Sequence, residues 1–130
     1  MKKEIIIDGN NFSNLDEFYD EIERKFTKDL GYNTGHNLDA FNDILLGGFN
    51  VYEYEEPVII KWVNSKKSRE DLGYVLTISE LKKSLDKCHP SHIASINKRI
   101  EDLKLNNGVT LFDDIIDIIK SHKHIELILK

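Results

Sequence analysis

Three short aliphatic runs, set far apart, constrain the fold of this chain more than any other feature. Ile5-Ile6-Ile7 ends at an Asp8-Gly9 turn signal. Pro57-Val58-Ile59-Ile60-Lys61-Trp62-Val63 carries its proline at the first position, where a strand tolerates one. His124-Ile125-Glu126-Leu127-Ile128-Leu129 is the third. Each reads as a buried strand, because β-branched and aromatic residues fit a pleated surface. The stretches between them are far too long for hairpins and carry helical spacing. Leu15, Phe18, Ile22 and Phe26 predict an amphipathic helix over residues 15–28, with Ser13 or Asn14 as cap and Glu17 completing the box. Leu111, Ile115, Ile118 and Ile119 predict another over 110–121, with Asp113 and Asp114 in its first turn and Lys120, His122 and Lys123 at its end. Strands joined by helical crossovers pair in parallel. The expectation is an α/β fold built on a small three-stranded parallel sheet.

Residues 64–108 depart from that rhythm. Ile78 to Leu85 and Ile93 to Leu105 read as helices separated by Cys88-His89-Pro90-Ser91, and Asn106-Asn107-Gly108 closes the segment. No Gly/Pro/Ser-rich linker flanks it. We therefore read residues 1–130 as one domain carrying a helical insertion at about 64–108, a length that buries a real core.

Between the first two strands lies a short helix with its punctuation intact, from Gly35 to Gly47. Asn37 is a good N-cap, Asp39 sits in the first turn where the helix dipole favours a carboxylate, and Gly47-Gly48 supplies a left-handed stop. Leu38, Phe41 and Leu45 make the inward stripe. Asp39 and Asp43 are then neighbours one turn apart, with Asn42 and Leu46 beside them. Such a pair repels by roughly 0.2–0.5 kcal/mol, and taken alone it reads as a solvated face. Its surroundings point elsewhere. From Asp29 to Ile60 there is no Lys or Arg, in a chain that carries 18, while Asp29, Asp39, Asp43, Glu53, Glu55 and Glu56 fall within the window. An acidic surface kept clear of cations suits a cationic partner.

Other chemistries find little footing. A net charge of −5 argues against nucleic acid as the main ligand. Residues 61–104 are basic, with ten Lys/Arg against six Asp/Glu. Their Lys66-Lys67, Lys82-Lys83 and Lys98-Arg99 pairs are interleaved with acids, though, and only Tyr74 offers a stacking ring after Trp62. The sequence has no Gly-rich phosphate loop, no His-Glu-x-x-His motif and no Gly-x-Ser-x-Gly elbow, so no catalytic residue is assigned. A glycosidase reading of Asp39 and Asp43 fails because such pairs come from separate elements across a cleft. Cys88-His89-x-x-His92 lacks the second ligand pair of a structural zinc site, so neither a metal nor a cofactor is expected. With one cysteine, no signal-peptide core and no membrane-length apolar run, the expected setting is the cytoplasm.

The helix motif Gly35-x-Asn37-Leu38-Asp39-Ala40-Phe41-x-Asp43-x-Leu45 resembles the barstar family of ribonuclease inhibitors. Ile5 to Gly9, Pro57 to Trp62 and Ile125 to Leu129 are similar to that family's strands. The resemblance covers roughly 4–27, 35–47, 57–62 and 111–129. It implies a helix and preceding loop that plug a ribonuclease active site, with carboxylates standing where RNA phosphates would meet Arg, Lys and His. Carried over by position, it implies partner contacts from Asn33, Thr34, Gly35, Asn37, Leu38, Asp39, Asn42, Asp43, Leu46 and Gly47. Asp43 takes the main anchor position, and Asp117 a third acidic contact. Asn33 and Thr34 stand where the family commonly has tyrosines, Asn42 where it has a helix tryptophan, and Gly48 where it has an aromatic. Tyr52 and Tyr54 are candidates to replace those rings. The expected protein is a cytoplasmic inhibitor, monomeric when free, whose partner is a basic ribonuclease. The alternatives are an immunity protein or antitoxin of the same fold against a different toxin, and a nucleic-acid-binding module using the basic insertion.

Overall fold

Alternation along β1 (Lys3–Asp8) sets the architecture. In the computed structural model, which describes residues 2–27, 35–49 and 51–130, Ile5 and Ile7 are buried while Ile6 between them is 42% exposed. Successive strand side chains point to opposite faces, so one face of this sheet is core and the other meets water. β2 (Val58–Val63) repeats the pattern, burying Val58, Ile60 and Trp62 completely. β3 (Ile125–Leu129) completes a sheet of order β1-β2-β3, parallel at both seams, with Ile5, Ile60 and Leu127 in register. The expected α/β class and three-stranded parallel sheet are both present. Ile5-Ile6-Ile7 is nevertheless half-covered rather than buried throughout, and Glu4 and Lys61 pair across the open face at 3.0 Å.

Helices cover the other face. α1 (Leu15–Phe26) starts at Asn14 rather than Ser13: Asn14 Oδ1 accepts from the Glu17 N–H at 2.9 Å, and Glu17 reaches back to the Ser13 backbone N–H at 2.8 Å. It ends two residues before the expected 28, where the Thr27 hydroxyl donates to the Glu23 carbonyl at 2.9 Å. α2 (Leu38–Leu45) follows, and α6 (Leu111–Lys120) opens on a full capping box between Thr110 and Asp113. Phe18, Ile22 and Phe26 of α1, Phe41, Ile44 and Leu45 of α2, and Phe112, Ile115, Ile116 and Ile119 of α6 share one core with the sheet. Trp62 stands at its centre, stacked on Phe18 at 5.7 Å, met edge-on by Phe12 and Phe112, its indole N–H donating to Ser68 Oγ at 3.0 Å.

The 64–108 segment divides in two. α3 (Ser65–Asp71), absent from the periodicity reading because it is polar throughout, begins at Asn64 in a left-handed conformation (φ 55°). It belongs to the main body. Ser68 and Leu72 are fully buried, and the Lys67 ammonium donates to the Gly9 and Phe12 carbonyls and to Asp71. α4 (Tyr74–Leu85) and α5 (Ile93–Lys104) pack on each other, with Ile100 and Leu103 buried apart from the main core. Thr77 Oγ accepts from the Leu111 N–H at 2.8 Å, joining α4 to the start of α6. Among the described residues, no helix is long and apolar enough to cross a membrane.

Candidate functional site

α2 is eight residues long and held at both ends. At its start Asn37 Oδ1 accepts from the Ala40 N–H at 2.8 Å, the expected cap. Phe41, Ile44 and Leu45 anchor the inner face and Leu38 packs partly against the core, which leaves Asp39, Asn42 and Asp43 exposed. Neither Asp39 nor Asp43 has an ion pair or side-chain hydrogen bond among the described residues. The helix N-terminus offsets the Asp39 charge; Asp43, one turn further, has no such support.

At the other end the backbone turns sharply. Gly47 and Gly48 have φ of +96° and +85°, the region a left-handed stop requires. A Cβ on Gly47 would lie 2.4 Å from the Glu53 carbonyl, so glycine is needed there for space as well as conformation. The returning loop then ties itself to the helix. Glu55 N–H donates to the Leu46 carbonyl at 2.6 Å, and Gly48 N–H to the Tyr52 carbonyl at 2.8 Å. The Leu45 carbonyl accepts from the Tyr52 hydroxyl at 2.8 Å and from His124 Nε2–H at 3.0 Å. Those bonds satisfy acceptors that a helix end otherwise leaves open. Tyr52, a candidate surface ring, is only 4% exposed and packs edge-on against Phe26 at 6.1 Å; burial pushes its phenol well above the usual value. It braces the helix from inside. Tyr54, at 65% exposure, is the ring left on the surface.

His122 and His124 are the contacts that sequence reasoning missed. They were legible only as basic residues near a helix end, and nothing periodic connects them to α2. In the fold His122 Nε2–H donates to Asn42 Oδ1 at 2.7 Å. Burial is the main cause holding His122 below the ordinary histidine value; the neighbouring His124 adds to it and Glu55 opposes it. Asn42 is thus a hydrogen-bonded side chain on the outer face. Asp117 is exposed on α6, the helix that packs against α2. Gly35 is exposed, and a Cβ there would come nearest the Asn37 side chain and Ala40. Asn33 and Thr34 lie outside the described residues.

Metal-type ligands converge once among the described residues, at Asp20, Glu23 and His36, and not at Cys88, His89 and His92. His89 Nδ1 instead turns to Ser91 at 2.8 Å, and the Cys88 thiol donates to the Leu85 carbonyl at 3.7 Å.

Comparison with known families finds a match over residues 2–88 to the family described as Barstar (barnase inhibitor). The matched stretch runs from β1 to just past α4 and includes all of α2; α6 with Asp117, and β3, lie beyond it. No curated protein matches the chain.

Proposed function

Since the chain belongs to the Barstar family of barnase inhibitors, we propose that it binds a basic ribonuclease and occludes the active site with the outer face of α2 and the loop before it. One observation carries this reading: Asp39 and Asp43 stand exposed, without an ion pair among the described residues, on a short helix braced at both ends. A rigid pair of carboxylates is a fair stand-in for successive phosphates, and a helix that need not reorder on binding loses little entropy. In this reading Asp43 is the anchor and Asp39 the second charge. Gly35, Asn37, Leu38, Asn42, Leu46 and Gly47 shape the plug, with Asn33 and Thr34 ahead of it and Asp117 at the rim. The protein acts as a monomer in the cytoplasm of the cell that makes the nuclease.

A second reading draws on Asn42. Its bond to His122 places a polar pair where the family resemblance implies a tryptophan. That favours a target whose surface differs from barnase, so an immunity role against another toxin shares the same face.

The test uses the full chain as bait for basic proteins, followed by nuclease assays on what is retained. The expected result is one retained nuclease, inhibited 1:1. Its association rate should fall as salt rises, because screening over about 8 Å at physiological ionic strength removes the steering. An on-rate with that partner indifferent to salt would overturn the acidic plug. A retained toxin without nuclease activity would select the second reading.

A further inference from the structure

α1 turns Asp16, Asp20 and Glu23 outward at i, i+4 and i+7, so that the three lie along one side of the helix. Three carboxylates in a row are by themselves a solvated helix face. What changes the reading is an imidazole brought in from a different segment. His36, just ahead of α2, sets Nε2 3.3 Å from Glu23 Oε1 and 3.6 Å from Asp20 Oδ1, while Nδ1 faces Asp16 Oδ1 at 3.5 Å. We propose that Asp20, Glu23 and His36 bind a divalent transition-metal ion, with zinc the best fit.

The geometry supports this in three ways. The three donor atoms lie within 4.8 Å of one another. A tetrahedral zinc with bonds of about 2.1 Å needs ligand–ligand edges of roughly 3.4 Å, and the two edges from His36 are already within a few tenths of that. The third edge closes by rotating Asp20, whose side chain is 52% exposed. Next, Asp16 at Nδ1 favours the tautomer that keeps the proton there and turns the Nε2 lone pair toward Asp20 and Glu23. Metal-binding histidines are commonly oriented by such a carboxylate. The ring also lies against Tyr19, centroids 5.3 Å apart, which restricts its plane. Finally, two carboxylates and a neutral imidazole carry the charge that a divalent ion cancels. One nitrogen with two oxygens suits zinc, whereas magnesium and calcium prefer oxygen alone.

Beyond the cluster the charges balance, since Glu80 faces Lys83 at 3.3 Å. A groove beside His36 is lined by Asp16, Tyr19, Glu80 and Lys83, so α4 contributes one acid and one base. The Tyr19 phenol is pushed up to about 12, first by burial and then by the Glu80 and Asp16 charges. A bound ion would tie α1 to the segment entering α2, fixing the start of the helix as Tyr52 and His124 fix its end. The proposal does not depend on what α2 binds.

Titration calorimetry of the full chain with zinc chloride tests it, repeated with cobalt for its absorption spectrum. One saturable site in the micromolar range is expected. His36→Ala and Asp20→Asn should each weaken it at least roughly tenfold, while His89→Ala and His122→Ala leave it unchanged. Cobalt should give visible ligand-field bands without the thiolate charge-transfer band that Cys88 would add. Circular dichroism of the two site variants checks that both still fold, and Asp20→Asn carries the test if His36→Ala does not. Absence of saturation below about 1 mM, or unaltered affinity in the site variants, would overturn the proposal.

Discussion

The outer face of α2 and the α4–α5 hairpin are both charged and solvated, yet they treat their charges in opposite ways. On the hairpin, Lys83 faces Glu80 at 3.3 Å, Lys98 faces Asp102 at 3.4 Å and Lys104 faces Glu101 at 3.5 Å, while Arg99 bonds Asp114 of α6 at 2.9 Å. On α2, Asp39 and Asp43 have no such neighbours among the described residues. Exposed pairs of the first kind are worth about 0–1 kcal/mol and cancel their own field within a few ångströms. Charges of the second kind project a field, which is what steers a partner. A surplus of basic residues counted along the hairpin therefore overstates its reach, because much of it is neutralised in place. The acidic window around α2 has the larger imbalance, six acids and no Lys or Arg between Asp29 and Ile60, and Asp39 and Asp43 have no ion pair among the described residues.

The sharpest way to break this contrast is Asp43→Ala. Against the captured nuclease it should raise the dissociation rate and cost about 2–5 kcal/mol, the range found for truncated buried charge pairs, a set that includes this family's own interface. Surface plasmon resonance on Asp39→Ala, Asp43→Ala and Asp117→Ala measures it; equal, small losses at all three would mean that α2 is not the plug. Next in size is the cap. Asn37→Ala should lower stability by about 1 kcal/mol in urea titration. Asp43→Ala should leave stability unchanged or add up to about 0.5 kcal/mol by relieving the repulsion with Asp39. Clear destabilisation by Asp43→Ala would make it a structural residue like those of the hairpin. Neutralising Lys82, Lys83, Lys98 and Arg99 together should shift inhibition little, by less than about 0.5 kcal/mol. A tenfold loss would erase the distinction between the two regions. Lys67 does not belong in that group, since its ammonium holds the Gly9 and Phe12 carbonyls.

The smallest expected effect is a pH dependence at the Asn42–His122 contact. His122 is held below its ordinary 6.5, so the folded chain resists the proton that the unfolded chain accepts. Its contribution to stability is complete above about pH 6.5 and is lost as the pH falls from there through the lowered folded value. His122→Ala should flatten that part of the curve in urea midpoints taken across the range; an unchanged slope would show that His122 is not responsible.

Much of this was legible in the residues. The α2 cap, its stop at Gly47-Gly48 and the outward Asp39 and Asp43 all follow from spacing, because local hydrogen bonds and a 3.6-residue period fix them. The strands were legible from their short β-branched and aromatic runs, though not the open face that leaves Ile6 in water. That face depends on where the crossovers lie. α3 escaped because Ser65 to Asp71 has no apolar stripe; what holds it is Lys67 reaching chain segments more than fifty residues away. The Asn42–His122 bond and the approach of His36 to Asp20 and Glu23 were invisible for a similar reason. Each joins residues whose only relation is the finished fold. Tyr52 shows the limit from the other side, since an aromatic in an acidic loop looks like a surface ring until its hydroxyl is found on the Leu45 carbonyl.

The pairing of Val58 with Ile125 has a consequence for how this molecule assembles. β1 and β2 can meet once α1 and α2 have formed, but β3 must wait for the whole stretch between residues 63 and 125. Closing a flexible loop costs only about 0.6 kcal/mol more for each doubling of its length. The penalty shrinks further when part of the loop forms locally, and α4 packs on its chain neighbour α5, where Ile100 and Leu103 are buried apart from the main core. A hairpin formed ahead of the sheet would shorten the loop that α6 and β3 must close. Loosening it with Leu103→Ala should accordingly slow folding, whereas the same loss of packing in a late-forming element would mainly hasten unfolding.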